Sequence, residues 1–389
     1  MSAATQHPPF AHYFGIGAAV VLVAALATLG MEDSWFFRHM ENSNLDIWLH
    51  AKAPIPSDRV FIVDITDDDY KTLFGSTSPL NPGEVAVIVE AIRDSGASLI
   101  GVDLDTSGWS ADAAAAARQY KNTVWAREYL EGDGKDAGLQ NVLGGDRPDV
   151  CFGLPAYVPD EDGVIRHYEP VVDLPHEPPE FSFAARIVAG CGAKPPAADS
   201  STGEAKLINF LGDPKAFGHL SAKSLLTLYQ TDGWKHSANP LQGRIVLLGG
   251  AFRAARDKFD TPAGRMDGVD IVAHDIVSEL PDGEVKSPGK RFFFAVDVGL
   301  GLLLVAGGWL LPRKWALPAM LVVVTVTALL ASWLAFRSFG YFASFVPVLG
   351  GVLTHELFEH FLEHHELLKE HQELLRERDE LRRELLQRV

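Results

Sequence analysis

The chain has 389 residues, 47% of them hydrophobic, and a formal net charge of -17. This length exceeds that of one ordinary small domain. Phosphate binding needs a basic face, so the strong acidity excludes nucleic acid as a partner. Most of the negative charge lies between Met31 and Lys290, and we expect an acidic, solvated body there with segments of a different kind on either side.

Four apolar runs approach or reach the length that crosses a bilayer, which is about 20 residues. We predict transmembrane helices, with membrane lipid as their partner, over residues 14–30, 292–311, 315–336 and 338–354. The first run contains "ALATLG", an A-x-A-like cleavage site, so a cleaved signal peptide is its alternative. No Lys or Arg precedes that run, which favours a retained anchor.

The positively charged loops predict the orientation of these helices. Arg313 and Lys314 lie together between the second and third runs, and an excess of Lys and Arg marks the cytoplasmic side. Residues 1–13 and 355–389 are then cytoplasmic, and residues 31–290 lie outside. We therefore expect a multi-pass membrane protein with both termini in the cytoplasm and a large domain outside the membrane.

Strand and helix patterns alternate within residues 31–290. The β-branched run "RVFIVDI" precedes "NPGEVAVIVEAIRDSG", a helix that Asn81 can cap and Pro82 can begin. "ASLIGVDLD" and "GRIVLLGGAF" are apolar on both faces, which is typical of strands buried in a parallel sheet. "GVDIVAHDIVSEL" indicates an amphipathic helix. We predict an α/β extracytoplasmic domain with a largely parallel sheet.

The two cysteines, Cys151 and Cys191, both lie in the segment predicted to be outside. A disulfide bond between them would close a loop of about 40 residues and stabilise the domain by roughly 3 to 4 kcal/mol. Two unrelated buried thiols are the alternative, because the sequence does not give their distance in space.

Several of these motifs occur together in a known order. A strand ending in V-x-I-x-D, "GVDLD", "DEDGVIR", "LQGRIVLLGG", "DKFDTPAGRMDGVDI" and three apolar runs follow one another from Arg59 to Leu353. In this order the chain resembles the CHASE type two family of extracellular sensory domains, which are associated with cyclases and histidine kinases. The resemblance implies one upstream and three downstream transmembrane helices, an unknown small extracytoplasmic ligand, and no catalytic residues.

Carboxylates follow two of the predicted strands. Asp64 and Asp67 come at the end of the first, and Asp103 and Asp105 at the end of the second. Because the carboxyl ends of parallel strands share one edge, these side chains could meet and hold a divalent cation such as Ca²⁺ or Mg²⁺. Helix caps and solvated turns are the alternative, since Asp is favoured in both.

A second candidate site follows a later strand. Gly249 and Gly250 end that strand and Arg253 comes shortly after, so free backbone amides and a guanidinium could bind an anion. A tight exit from the strand is the alternative. His167, His176, His219 and His274 lack metal-ligand spacing, and no nucleophile or zinc motif occurs, so we expect a protein that is not an enzyme.

One acidic residue falls within a predicted transmembrane helix. Asp297 lies about six residues into the second apolar run, and a carboxylate within a membrane is a functional candidate by default. Near the amino end of a helix an acid is also favoured electrostatically. A capping or snorkelling acid and a relay or helix-packing residue therefore both remain open.

The end of the chain is a charged segment with regularly spaced apolar residues. These residues are Phe361, Leu367, Leu368, Leu374, Leu375, Leu381 and Leu385. Their periodicity predicts an amphipathic or coiled-coil helix over 355–389. We expect it to form a homo-oligomer or to bind a separate cytoplasmic signalling partner.

Three functions are compatible with these features. The first is an integral membrane sensor that signals through its helices to an output domain not present in this chain. The second is a non-signalling assembly subunit that oligomerises or docks on another membrane complex. The third is a periplasmic metal-dependent hydrolase using the carboxylates. The resemblance favours the sensor.

Overall fold

The structure is a computed structural model that describes most of the chain. The described ranges are 10–31, 34–51, 55–115, 120–130, 138–145, 150–155, 157–175, 177–196, 205–212, 216–231, 233–235, 238–286, 289–310, 313–342, 361, 364–365, 367–369 and 371–378. The chain divides into two compact units. Unit one comprises Met1–Leu45 and Ser287–Val389, and unit two comprises Asp46–Lys286.

A six-stranded sheet forms the centre of unit two. Its strands are β1 (Val60–Ile65), β2 (Leu99–Asp103), β3 (Thr123–Ala126), β6 (Phe152–Gly153), β12 (Gly218–Ser221) and β13 (Ile245–Gly250), in the order β12-β1-β13-β2-β3-β6. Every neighbouring pair is parallel. The prediction of a largely parallel α/β domain is confirmed.

Helices cover both faces of this sheet. Those of unit two are α3 (Asp67–Thr72), α4 (Pro82–Asp94), α5 (Phe183–Ala189), α6 (Ala222–Gln230) and α7 (Gly268–Glu279). One core forms where the buried sides of α4 and α6 meet the sheet, and a second where α5 and α7 meet its other face. Strands buried on both faces explain the continuous apolar runs in the sequence.

Local sequence signals account for the starts of two helices. The Asn81 side chain accepts a hydrogen bond from the Gly83 amide, and Pro82 occupies the first turn of α4, as predicted. At α3, Thr66 and Asp69 form a reciprocal capping box that the sequence analysis did not identify. The predicted helix at Gly268 is α7, so the strands and helices that carry strong periodicity lie where they were expected.

Smaller antiparallel sheets lie beside the central one. Their strands are β4 (Tyr129–Leu130), β5 (Gly138–Leu139), β7 (Tyr157–Pro159), β8 (Ile165–Tyr168), β9 (Val171–Val172), β10 (Glu180–Phe181), β11 (Lys206–Leu207), β14 (Lys258–Thr261) and β15 (Gly264–Asp267). β8 is the middle strand of a three-stranded sheet in the order β11-β8-β7. The turn between β7 and β8 contains Gly163 in a left-handed conformation, so "DEDG" forms a turn.

Unit one contains long helices, namely α1 (Phe10–Met31), α8 (Lys290–Leu310), α9 (Arg313–Phe339) and the beginning of α2 (Trp35–Ala51), which ends in unit two. α1 packs closely on α8. A side chain at Gly17 would collide with Val305, and one at Gly301 would collide with Val21. Small residues that allow such close approach are typical of helix pairs in membranes.

Helices α1, α8 and α9 coincide with the first three predicted transmembrane segments. Within the described residues, however, no helix combines the length and the hydropathy needed to cross a membrane. Most of the fourth predicted segment, 338–354, lies outside the described residues. The structure therefore does not support the prediction of four transmembrane helices, which stays a prediction.

Candidate functional site at the carboxyl edge of the central sheet

The sequence-predicted carboxylates lie at the carboxyl edge of the sheet without converging. Asp64 on β1 and Asp103 on β2 are both level with Gly249 on β13, the strand between them. Since neighbouring strands are about 4.8 Å apart, the Cα atoms of the two carboxylates are roughly 10 Å apart. Val269, in the first turn of α7, packs against Gly249 on the strand between them.

Close packing explains both glycines at the end of β13. A side chain at Gly249 would collide with Val269 of α7, and one at Gly250 would be forced against the Phe252 ring. The Arg253 backbone amide donates to Asp67 at 2.9 Å, and its Nε lies 3.4 Å from the same carboxylate. The close packing matches the alternative of a tight strand exit, and the anion site stays a prediction.

Asp64 belongs to a three-residue ionic group that includes a histidine. His219 Nδ1 lies 2.8 Å from Asp64 Oδ2, and His219 Nε2 lies 3.3 Å from Asp270 Oδ1. Burial opposes protonation of His219, but hydrogen bonds to Asp270 and Asp64 and attraction to their charges raise its pKa to about 10. The imidazolium therefore joins β12, β1 and the first turn of α7.

Asp103 belongs to a different group, which we call the Asp103 cluster: Asp103, Glu128, Tyr157 and Asp257. Burial, together with repulsion from Asp257 and Glu128, raises the pKa of Asp103 to about 7. Burial also raises the pKa of Asp257 and of Glu128, and each is repelled by a further carboxylate, Asp267 and Asp105 respectively. The groups around Asp103 thus favour its protonated form.

Asp257 lies directly against the first residue of α7. Its backbone carbonyl accepts a hydrogen bond from the Gly268 amide, and a side chain at Gly268 would collide with the Asp257 carboxylate. Tyr157 forms a hydrogen bond with that carboxylate, which lowers the pKa of Asp257 against the effect of burial. Carboxylates of both groups therefore surround the amino end of α7, where negative charge is favoured.

The remaining carboxylates have local structural roles. Asp105 accepts a hydrogen bond from the Ser107 amide, and the buried Asp69 completes the capping box of α3. Among the described residues, no three His, Cys, Asp or Glu side chains are placed to hold a metal ion. The Ca²⁺ or Mg²⁺ site expected from Asp64, Asp67, Asp103 and Asp105 stays a prediction.

Cys151 and Cys191 are joined in a disulfide bond with a Cα–Cα distance of 5.3 Å.

Asp297 lies in α8. In the described part of the tail, the side chains of Phe361, Leu367, Leu368, Leu374 and Leu375 are exposed. Leu381 and Leu385 lie outside the described residues, and the oligomeric role of the tail stays a prediction.

Sequence reasoning missed a second ionic group, which we call the Arg166 clamp: Arg166, Asp46, Asp160 and Asp162. Arg166 has only 2% of its side chain exposed and binds all three carboxylates at 2.7 to 2.9 Å. Burial opposes the charge on Arg166, but hydrogen bonds to Asp46, Asp162 and Asp160 raise its pKa above its ordinary value. An arginine four residues after an acidic turn, within "DEDGVIR", was the available signal.

The spacing of His219 from the other histidines does not indicate a site in the sequence. Its partners Asp64 and Asp270 are distant in the chain, and the parallel pairing of β12 with β1 brings the first of them within reach. Only the order of the strands reveals this contact.

Comparison with known families supports the fold. The sequence model of the CHASE2 domain matches residues 18–311, about three quarters of the chain. Comparisons with curated proteins and with solved structures give no match for this chain. CHASE2 is a family of extracellular sensory domains. With the match extending over most of its length and an α/β domain at its centre, the chain belongs to the CHASE2 family.

Proposed function

We propose that the chain is a membrane-anchored sensory protein whose α/β unit lies outside a bacterial inner membrane and responds to a small ligand. The membership of residues 18–311 in an extracellular sensory family carries this proposal. The disulfide between Cys151 and Cys191 supports an external location, because such bonds persist in oxidising compartments. The response would pass through the helices to an output domain.

Apolar surface on unit one supports the membrane anchor. Exposed apolar side chains occur on all three long helices: Leu22, Val23 and Leu26 on α1, Leu303 on α8, and Val322, Val323, Val326 and Leu330 on α9. Apolar surface on this scale marks a region that contacts lipid or protein. The four-helix topology with both termini inside is part of this proposal, and labelling of single cysteines at residues 12, 282 and 370 from either side of the membrane tests it.

The carboxyl edge is the proposed ligand site. It combines the Asp103 cluster with His219 and its two carboxylates around one helix end, and crevices at this edge are where open α/β sheets bind ligands. Repulsion among Asp103, Asp257 and Glu128 would be relieved by a cation or by protons. A ligand there would act first on the beginning of α7.

Thermal unfolding of the full chain in detergent tests this site. With Ca²⁺ or Mg²⁺ as the probe, we expect the melting temperature of the wild-type protein to rise and the rise to be lost in Asp103→Asn. Asp68→Asn is the matched control, because Asp68 pairs with Lys223 on the exposed surface. An equal rise in all three proteins, or none in the wild type between about pH 5 and pH 8, would exclude a cation at this edge.

An assembly subunit is the second candidate, and one observation favours it. The described leucines of the tail are exposed, with Leu367 and Leu374 seven residues apart. Apolar residues at this spacing need a partner helix. The mass of the detergent-solubilised chain with and without residues 355–389 distinguishes a self-associating tail from one that binds another protein.

A further inference from the structure

The chain of unit two is connected to unit one at two places. Helix α2 enters unit two at Asp46, and residues 280–286 leave it after α7. A sensory domain can influence the rest of the chain through these two segments. Side chains of one short strand, β8, hold the first segment at Asp46 and the last residue of α7, Glu279, which directly precedes the second segment.

Arg166 on β8 holds the first segment. Its Nε and Nη2 donate to the two carboxylate oxygens of Asp46 on α2 at 2.9 and 2.8 Å. The same guanidinium binds Asp160 and Asp162, which belong to the turn preceding β8. Asp46 is therefore the only described carboxylate of the Arg166 clamp that lies outside this turn, and it can separate from Arg166 without leaving the arginine unpaired.

Tyr168, two residues further along β8, holds the end of α7, immediately before the second segment. Its buried hydroxyl group donates to Glu279 Oε1 at the end of α7, at 2.7 Å. On the neighbouring strand β11 and just after it, Lys206 lies 3.5 Å from the same oxygen and Asn209 Nδ2 donates to the Gly283 carbonyl. Residues 280–286 are thus attached to the β8 sheet.

β7 connects β8 to the Asp103 cluster. Tyr157 on β7 stands directly opposite Tyr168 in the antiparallel register. Tyr157 is hydrogen-bonded to Asp257, and its ring packs edge-on against Phe259 of β14 at a centroid distance of 4.9 Å. Asp257, which lies against the first residue of α7, is therefore linked to β8 through the register pair Tyr157 and Tyr168.

We propose that the β7–β8 pair couples the carboxyl edge of the sheet to both connecting segments, with Arg166 and Tyr168 as the positioning residues. Two states are required: one with Asp46 bound to Arg166, and one in which the arginine keeps Asp160 and Asp162 but releases Asp46. The coupling rests on the proposed sensory function, to which it assigns a route.

Hydrogen exchange of the full chain in detergent tests the attachment without any ligand. In Asp46→Asn, we expect exchange of the α2 amides to rise about fivefold or more, while β1 and β13 keep their protection. Asp162→Asn is the matched control, because it removes one acceptor from the same arginine without touching α2. Unchanged exchange of α2 in Asp46→Asn, or an equal rise in both variants, would overturn this part of the proposal.

A double-mutant cycle tests the coupling itself. Tyr157→Phe removes only the hydroxyl group that faces Asp257, and we expect it to change exchange both in α2 and in residues 280–286. In the Asp46→Asn background, its effect on α2 should disappear while its effect on residues 280–286 remains. In the Tyr168→Phe background, the effect of Tyr157→Phe on residues 280–286 should disappear while its effect on α2 remains. A Tyr157→Phe effect on α2 that survives in Asp46→Asn, or no effect on either segment, would refute the route.

These experiments distinguish a failure of the coupling through β8 from a failure of the proposed sensory function. If the exchange experiments succeed but no ligand shifts the melting temperature, the coupling stands and the carboxyl edge is not the ligand site for the probes used. If a ligand binds but the cycle shows no coupling, the sensory function stands and β8 is only a structural strand.

Discussion

The Arg166 clamp and the Asp103 cluster accommodate buried acidic residues in opposite ways. In the clamp, three carboxylates bind one buried guanidinium at 2.7 to 2.9 Å, and the pKa values of Asp160 and Asp162 lie below their ordinary value. In the cluster, burial and neighbouring carboxylates raise the pKa of Asp103 to about 7. The first group is built to stay charged, and the second can change its charge near neutral pH.

The largest effect is expected when the clamp loses its cation. Arg166→Ala leaves three carboxylates around an uncompensated site, and breaking a buried ion pair in this way costs about 3 to 5 kcal/mol. We expect a loss of this size in the free energy of unfolding, measured with denaturant. Adding Asp46→Asn, Asp160→Asn and Asp162→Asn to Arg166→Ala should restore part of it, and no restoration would mean that the arginine acts through packing alone.

A smaller loss is expected from the histidine beside the cluster. His219→Asn leaves Asp64 and Asp270 without their shared cation, at a cost of about 1 to 3 kcal/mol. Because the pKa of His219 is raised from 6.5 to about 10, its contribution is complete below about pH 6.5 and is lost as the pH rises through 10. The difference from the wild type should therefore shrink as the pH rises from about 6.5 to about 10, and a difference that stays constant over this range would contradict the ionic role.

Substitution of Asp103 should have the opposite effect and increase the stability of the domain. The pKa of Asp103 is raised from 3.8 to about 7, so the folded state binds its proton more tightly than the unfolded state does. Stability from this residue is present at low pH and falls as the pH rises from about 4 to 7. At about pH 8, Asp103→Asn should stabilise the domain by roughly 1 to 2 kcal/mol, measured by thermal unfolding.

The control for the stabilisation by Asp103→Asn is its dependence on pH. Near pH 4, where Asp103 is protonated, the stabilisation by Asp103→Asn should vanish. A variant that is less stable than the wild type at every pH would show that the carboxylate makes a favourable contact and would remove the contrast with the clamp.

The smallest effect is expected at the surface. Asp68 and Lys223 form a 2.8 Å ion pair with both side chains more than half exposed. Exposed pairs of this kind contribute little because water and salt screen them. Asp68→Asn should leave the denaturation midpoint nearly unchanged, and a substantial loss would show that exposure does not distinguish this pair from the clamp.

The parts of this fold that local periodicity encodes were predicted from the sequence. β1, α4, β2, β13 and α7 lie where apolar runs and capping residues indicated. These signals depend on residues within about a dozen positions of one another, which is the range that strand and helix patterns cover. The existence of the parallel sheet followed from them.

Contacts between distant segments were not predicted. His219 and Asp64 are 155 residues apart in the chain, and Arg166 and Asp46 are 120 apart. Asp67 was expected to bind a cation and instead binds Arg253, 186 residues away, which was expected to bind an anion. Which strands become neighbours depends on chain topology, so the carboxylates could be placed at one edge but their partners could not be identified.

The Cys151–Cys191 disulfide lies next to β6, an edge strand of the central sheet. β6 is an edge strand of only two residues, Phe152–Gly153, and the Cys151–Cys191 bond fixes the chain immediately before it. Beyond this strand, Ser182 forms a bridge with Leu154, and a side chain at Gly153 would collide with the Phe183 backbone. An unprotected edge recruits strands from other molecules. The disulfide and this bridge both restrain the edge, so production of the domain in a reducing compartment should lower its soluble yield.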